Sequence, residues 1–373
     1  MFSKNSKTLN LFNKRFFTNT LNPELYKSKQ MFDLEKQKIF NRNWLPIAYT
    51  NEFNNYKILV KQFGNTEMFL TKTKTGEIKT FYNTCRHRSS RLFRKNCNKK
   101  TIICPYHYWR YSLNGELLAT PRFECPKFNK KENGLFEIKT STFRNFICIN
   151  FDNNCEDIYK HFGDVSDDLK NYPLEDCKIV RYQKYEVNAN WKALQDNFLE
   201  YYHLPSIHPE LVKSSGMDEH SYTSREKNGN YIGFKTDPIT NCNAPIEPKY
   251  MDMFPNLTDN EKQIAHFQTL FPNVFYFLLP NHLFSIMIEP ISETKSIEHV
   301  SLLVHKNQNE EDKQIELIWK YWNKVNKEDI DICEEVQKGM YCQHPNYKTG
   351  FYVPEYEKNV EIFHDIIRNN LEN

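Results

Sequence analysis

A chain of 373 residues exceeds what one hydrophobic core usually serves, so two domains, or one with a large elaboration, are expected. Its 50 basic and 47 acidic residues leave a net charge of +3, too balanced for nucleic acid or an anionic membrane to be the main partner. No run of 18 uncharged apolar residues argues for a transmembrane span, and ten cysteines without disulfide-framework spacing fit a reducing, cytoplasmic setting.

Residues 1 to 23 carry Lys4, Lys7, Lys14 and Arg15 with no acid, a composition vaguely like an organelle transit peptide. Lacking an apolar signal core or cleavage signature, the stretch reads as a solvated N-terminal arm. Apolar and charged residues alternate with helical spacing from about Ser28 to Phe40 and predict a helix leading into a domain. From Trp44 to about Asp152 the texture changes to short runs such as "YKILVKQF", "EMFLTKT", "TIICPYHYWRYSL" and "NFICINF", separated by "TKTGE", "NGE" and "KENG" turns, which predicts a small β domain.

A second domain is expected from near residue 156. It opens with a strand, "KIVRYQKYEVNA", and a helix, "NWKALQDNFLEYYH", and continues through a polar loop region from about 213 to 265. The runs "HFQTLFPNVFYFLLP", "HLFSIMIEPIS" and "SIEHVSLLVH" then read as strands, and a long helix follows from about Glu310 to Tyr341. Sheet plus long helices makes the chain α+β. The expected divisions are an N-terminal arm and helix packing on the second domain (1–43), the β domain (44–155) and the α+β domain (156–373).

Two Cys-His pairs fall in the β domain. Cys85 and His87 are separated by one residue and Cys104 and His107 by two, each pair on a loop between strands. Two facing loops of this kind offer two sulfurs and two nitrogens to one metal centre, the donor set of either a Cys2His2 zinc site or a Rieske [2Fe–2S] cluster. Zinc fingers usually pair Cys with Cys and His with His. Here each arm mixes one of each, which favours a cluster with both Cys on one iron and both His on the other.

"CRHR" followed by "CPYH" resembles the Rieske motif of the Rieske non-haem iron oxygenases. Respiratory Rieske proteins have a further disulfide-forming Cys pair where this chain has Ser90 and Tyr106, so the resemblance is to the lower-potential oxygenase type. It departs from the pattern at Ser89 and Tyr108, where relatives usually carry Gly, read here as positions of close backbone approach.

In "DNFLEYYHLPSIHPE" an uninterrupted helix would point His203 and His208 to different faces, but Pro205 is expected to end the helix between them and let both imidazoles reach one point. Glu200, three residues before His203, is expected on the same helical face and within reach of its imidazole. Two His and one carboxylate leave three positions open on iron(II), the facial arrangement that binds O2 beside a substrate. The oxygenase family carries Glu or Asp, two residues, His, four residues and His, as in Glu200, His203 and His208, with a later Asp on a C-terminal helix. The resemblance assigns that role to Asp329 in "NKEDIDICEEVQKG", with Glu328 and Asp331 as competing acids.

The resemblance implies a small all-β Rieske domain joined to an α+β helix-grip catalytic domain with an antiparallel sheet. It further implies a separate NAD(P)H-dependent flavin/iron–sulfur reductase, O2 as co-substrate, and a homotrimer in which Glu200 bridges His203 to His107 of a neighbouring subunit. "NWKALQDNFLEYYHLPSIHPEL" is closer to choline, carnitine and glycine-betaine oxygenases than to ring dioxygenases. A small methylated or quaternary ammonium substrate is therefore expected, hydroxylated or N-demethylated, with an aromatic ring as the alternative. Tyr201, Tyr202 or the aromatics of "FYFLLPNHLF" could line an aromatic cage, but strand aromatics are more often core and none is assigned to the substrate. A zinc-stabilised binding protein would leave His203, His208 and Asp329 unexplained, and an electron carrier without catalysis would leave the second domain unexplained.

Overall fold

The computed structural model describes residues 19–215, 220–223, 230–236 and 251–372. The expected N-terminal arm lies largely outside these residues, as does much of the polar region from 213 to 265. The described chain divides into two compact units: residues 42–159 with 174–177, and residues 19–41, 160–173 and 178 onward.

The first unit is all β. Strands β1 (Leu45–Tyr49), β2 (Ile58–Phe63), β3 (Thr66–Lys72), β4 (Ile78–Tyr82), β8 (Glu137–Phe143) and β9 (Phe146–Asn150) form an antiparallel sheet in the order β1-β9-β8-β4-β3-β2. A three-stranded sheet of β5 (Ile102–Ile103), β6 (Arg110–Tyr111) and β7 (Leu117–Ala119) sits between β4 and β8 in the chain. The run "TIICPYHYWRYSL" thus splits into two very short strands with the second Cys-His pair at their tip. Gly115, in the "NGE" turn, has φ 84°, and a Cβ there would stand 2.4 Å from Phe81, so only glycine lets this turn lie against the core.

In the second unit a single helical turn at Glu24–Lys27 precedes the helix α1 (Lys29–Glu35), which is continued by a π-helical turn over Lys36–Phe40. Its Glu35 is fully buried and pairs with the equally buried Lys192 at 2.6 Å, while Trp191 Nε1–H donates to the other Glu35 oxygen at 2.8 Å. Removing one member of such a pair strands a charge in the core at a cost of about 3–5 kcal/mol. This lock fixes the start of α2 (Trp191–Phe198), whose N-cap Asn190 accepts from Lys192 N–H. Two short helices follow, α3 (Leu204–Ile207) and α4 (Pro209–Ser215).

Strand β10 (Cys177–Val187) joins β11 (His220–Thr223), β12 (Tyr231–Thr236), β13 (Ala265–Leu270), β14 (Val274–Leu278), β15 (His282–Ser292) and β16 (Lys295–His305) in a sheet ordered β10-β16-β15-β14-β13-β12-β11. From β11 to β16 every adjacent pair is antiparallel. Helix α5 (Lys313–Gly339) buries Ile315, Ile318, Trp322, Val325, Asn326, Ile330 and Cys333 along one side, and its Trp322 meets Phe267, Phe277 and Phe284 of the sheet. Helix α6 (Lys358–Glu372) closes the unit. The expected α+β architecture, an all-β unit and a long helix gripped by an antiparallel sheet, is the observed one. No helix among the described residues is long and apolar enough to cross a membrane.

Candidate functional site

In the first unit two loops of matching design carry the Cys-His pairs. After β4, Cys85 N–H donates to Ser90 O at 2.9 Å and Ser89 N–H to Cys85 O at 3.0 Å; between β5 and β6, Cys104 N–H donates to Trp109 O at 2.9 Å and Tyr108 N–H to Cys104 O at 3.1 Å. The residue four after each cysteine takes the left-handed conformation, Ser89 at φ 53° and Tyr108 at φ 61°. These are the two positions at which the sequence departs from the glycine-bearing pattern it resembles. The physical demand there is a positive φ, not only the close approach expected from sequence.

Cys85 and Cys104 are 2% and 1% exposed, packed with Phe81, Trp109 and Tyr111. The His87 and His107 rings meet edge to face with centroids 4.6 Å apart, and His87 stacks on Trp109 at 4.8 Å. Nδ1 of each imidazole is buried with no hydrogen-bond partner. Two orphaned imidazole nitrogens beside two buried thiols fit a [2Fe–2S] cluster of the mixed Cys/His type, whose irons would take up those lone pairs. Burial, with His87 and Arg88 nearby, holds His107 below the ordinary imidazole value, in the neutral form that ligates a metal.

Tyr111 was not singled out from the sequence, where it is one aromatic in a strand. Its hydroxyl accepts Arg86 N–H at 3.1 Å and lies 3.2 Å from Cys85 Sγ, so its own proton points at the sulfur. Burial and the neighbouring Cys85 hold the phenol well above its usual value, and it stays a donor.

In the second unit the chain departs from the expected helix. α2 ends at Phe198, and Glu200 lies in a non-helical connection, so Glu200 and His203 do not share a helical face. Pro205 does not end a helix; it occupies the first turn of α3, where its missing N–H costs nothing and its fixed φ suits the helix start. His203 is the N-cap of α3 and His208 its C-cap, so one short helix bracketed by two imidazoles turns both inward.

His208 Nε2 lies 2.8 Å and His203 Nε2 3.5 Å from the same oxygen, Asp329 Oδ1. The three donor atoms all fall within 4.8 Å of one another. Asp329 reaches this point because it follows Trp322 and Val325 and precedes Cys333 on the inward stripe of α5. Asp331, two positions on, instead lines an outer cleft with Tyr185, Trp319 and Lys327. The other nitrogen of each imidazole meets a carboxylate. Glu200 Oε1 contacts His203 Nδ1 while its Oε2 accepts His203 N–H at 3.1 Å, and Glu328 Oε2 lies 2.8 Å from His208 Nδ1.

Although burial opposes charge on His203, the hydrogen bonds of Asp329 and Glu200 outweigh it and push that imidazole up to about 10. The same two imidazoles hold Asp329 below its usual value against its burial. A site this receptive to positive charge, with two nitrogens and one oxygen converging, has the donor set and openness of a 2-His-1-carboxylate iron centre. The adjoining pocket is walled by Phe198, Phe234, Phe267 and Phe277, with Thr236 and Asn197 as polar members. Of the aromatics suggested by sequence, Phe277 lines it. Tyr201 and Tyr202 pack on Tyr356 instead.

Both parts of the chain match known families. Residues 43–140 match the Rieske [2Fe-2S] domain family, and residues 174–373 match the family described as the ring hydroxylating alpha subunit (catalytic domain). Over 324 residues the chain is 26% identical to the carnitine monooxygenase oxygenase subunit of Acinetobacter pittii, covering 84% of this chain and 83% of the relative. It is 25% identical to the glycine betaine monooxygenase oxygenase subunit of Pseudomonas aeruginosa, covering 96% and 90%. In fold it resembles a quaternary ammonium Rieske monooxygenase solved with L-carnitine, with a TM-score of 0.81 at 22% identity over 94% of this chain and 95% of that one. The two mixed Cys-His loops and the downstream His-His-Asp cluster thus lie within matches to two modules found together in one family, and the chain belongs to the ring-hydroxylating alpha subunits of the Rieske non-haem iron oxygenases.

Proposed function

We propose that this chain is the terminal oxygenase of a cytoplasmic Rieske-type system that hydroxylates or N-demethylates a small quaternary or methylated ammonium compound. In this reading residues 1–43 are an arm and helix on the catalytic domain, 44–155 the Rieske domain and 156–373 the catalytic domain. Cys85, His87, Cys104 and His107 hold the [2Fe–2S] cluster, and His203, His208 and Asp329 hold iron(II). When bound, the cluster supplies single electrons and the iron supplies the place where O2 is activated. The electrons come from a separate NAD(P)H-dependent flavin/iron–sulfur reductase, and Glu200 bridges His203 to His107 of the next subunit in a homotrimer.

The observation that carries this reading is the convergence of His203 Nε2, His208 Nε2 and Asp329 Oδ1 beside a pocket walled by four phenylalanines. The chain's residues divide the work. Glu200 and Glu328 each face the Nδ1 of one imidazole, so that with iron bound they would hold the tautomer that leaves Nε2 free to ligate it. The Phe faces keep water from the reacting carbon and attract a cation by about 0.5–2 kcal/mol per ring. Relatives named for carnitine and glycine betaine favour an alkylammonium over an aromatic substrate.

The test is to reduce the cluster anaerobically and expose the protein to O2 with choline, carnitine, betaines or simple aromatic acids, following cluster reoxidation and product mass together. Reoxidation that depends on an ammonium compound, with a product that gains oxygen or loses a methyl, is the expected result. Reoxidation driven only by aromatic acids would transfer the assignment to ring oxidation.

A further inference from the structure

Antiparallel registers place Phe234 opposite Phe267, Phe267 opposite Phe277 and Phe277 opposite Phe284, one row of rings across β12 to β15 on a single face of the sheet. Neighbouring rings in the row are 5.2, 5.2 and 5.6 Å apart. Gly233 allows the row to start: a Cβ there would stand 2.2 Å from Phe267 O, so β12 could not lie this close to β13 with any other residue. Side chains on a strand return to the same face every second residue, so Thr236 faces the same way as Phe234. Thr236 is 2% exposed and lines the pocket that holds His203, His208 and Asp329.

Its hydroxyl Oγ1 is buried without a hydrogen-bond partner. Native proteins rarely leave a buried hydroxyl unpaired, because the desolvated group then has nothing to replace its water. Asn197 is the other neutral polar member of this wall, and among its rings and aliphatic side chains the orphaned hydroxyl marks where a polar atom of the ligand belongs. We infer that Thr236 is a specificity-determining residue that hydrogen-bonds an oxygen atom of the substrate while Phe234, Phe267 and Phe277, the members of the row that line the pocket, take its alkylammonium end. This rests on the alkylammonium reading above and adds to it that the substrate carries a hydrogen-bonding oxygen.

Three ligands and two variants test it, by calorimetric binding to the anaerobic holoenzyme. Choline offers a hydroxyl, glycine betaine a carboxylate and ethyltrimethylammonium no oxygen at all. Thr236→Val keeps the branched shape and removes the hydroxyl; it is expected to weaken an oxygen-bearing ligand about tenfold while leaving ethyltrimethylammonium unchanged. Thr236→Ser, which keeps the hydroxyl, is expected to restore most of that affinity. The ligand that loses affinity identifies the oxygen as hydroxyl or carboxylate. Equal losses for all three ligands, or none for any, overturn the role of Thr236 and leave the alkylammonium reading standing. If the wild-type protein binds none of the three, the alkylammonium reading fails and this inference fails with it.

Discussion

Glu328 and Asp329 are adjacent on α5 yet meet opposite nitrogens of one imidazole: Glu328 Oε2 lies 2.8 Å from His208 Nδ1, and Asp329 Oδ1 lies 2.8 Å from His208 Nε2. Only the Asp329 oxygen is shared with His203. Asp329→Ala should therefore lose the mononuclear iron while the visible spectrum of the cluster persists. Glu328→Ala should keep the site but weaken iron binding about 10- to 100-fold, as loss of an outer partner of a ligating histidine typically does. Metal analysis after dialysis against a graded chelator separates the two. Iron retained in Asp329→Ala and lost in Glu328→Ala would exchange their roles.

Glu200 contacts the imidazole of His203 through one oxygen and the backbone N–H groups of Tyr202 and His203 through the other. Glu200→Gln keeps the size of the side chain and removes its charge. Both metals should be retained, and oxidation of the prereduced cluster in a single turnover with substrate and O2 should slow about 10- to 100-fold. Wild-type speed would remove the proposed bridging role.

The Tyr111 hydroxyl donates to Cys85 Sγ, and a donor at sulfur favours the more negative, reduced cluster. Tyr111→Phe should lower the reduction potential. A difference of about 1 kcal/mol between the two oxidation states corresponds to about 40 mV for one electron. Redox titration followed by the cluster's visible absorption measures it, and an unchanged potential would mean that the hydroxyl serves packing alone.

The cluster loops were legible in the sequence because their information is local: two Cys-His pairs a few residues apart, between strand-like runs. The pair His203 and His208 was legible for the same reason. The path between them was not, because Pro205 is as compatible with the first turn of a helix as with the end of one, and tertiary packing decided for the first turn. Which acid of "KEDID" is shared by both imidazoles depended on the rotation of α5, set by the buried stripe that includes Trp322, Val325 and Cys333. The row of phenylalanines needed the register of four strands, and no single stretch of sequence contains that.

Ser89 and Tyr108 hold φ values of 53° and 61°, which cost a side-chain-bearing residue about 1 kcal/mol or more relative to glycine. Glycine's greater freedom in the unfolded chain returns part of this, so Ser89→Gly and Tyr108→Gly should each stabilise the protein by about 0.5 kcal/mol. Urea unfolding read through loss of cluster absorption gives the comparison. Destabilisation by Tyr108→Gly would indicate that the exposed tyrosine ring contributes contacts exceeding its backbone strain.

Glu298 is a buried carboxyl on β16, 3% exposed, whose Oε2 accepts from Asn326 Nδ2 at 2.8 Å, one helical turn before Asp329. Burial, with the Asp329 charge adding to it, raises its pKa to about 7. The unfolded chain gives up this proton near the ordinary glutamate value, so between that value and about 7 the folded state binds more protons and stability falls as pH rises. The loss is complete above about 7 and amounts to about 3 kcal/mol. Glu298→Gln accepts the same hydrogen bond and never ionises, so it should be more stable than the wild type at pH 8 by about 2–3 kcal/mol more than at pH 5. Urea midpoints of the two proteins at those pH values test this. A stability difference that does not change with pH would mean that Glu298 holds the same protonation state in the folded and unfolded chain across that range.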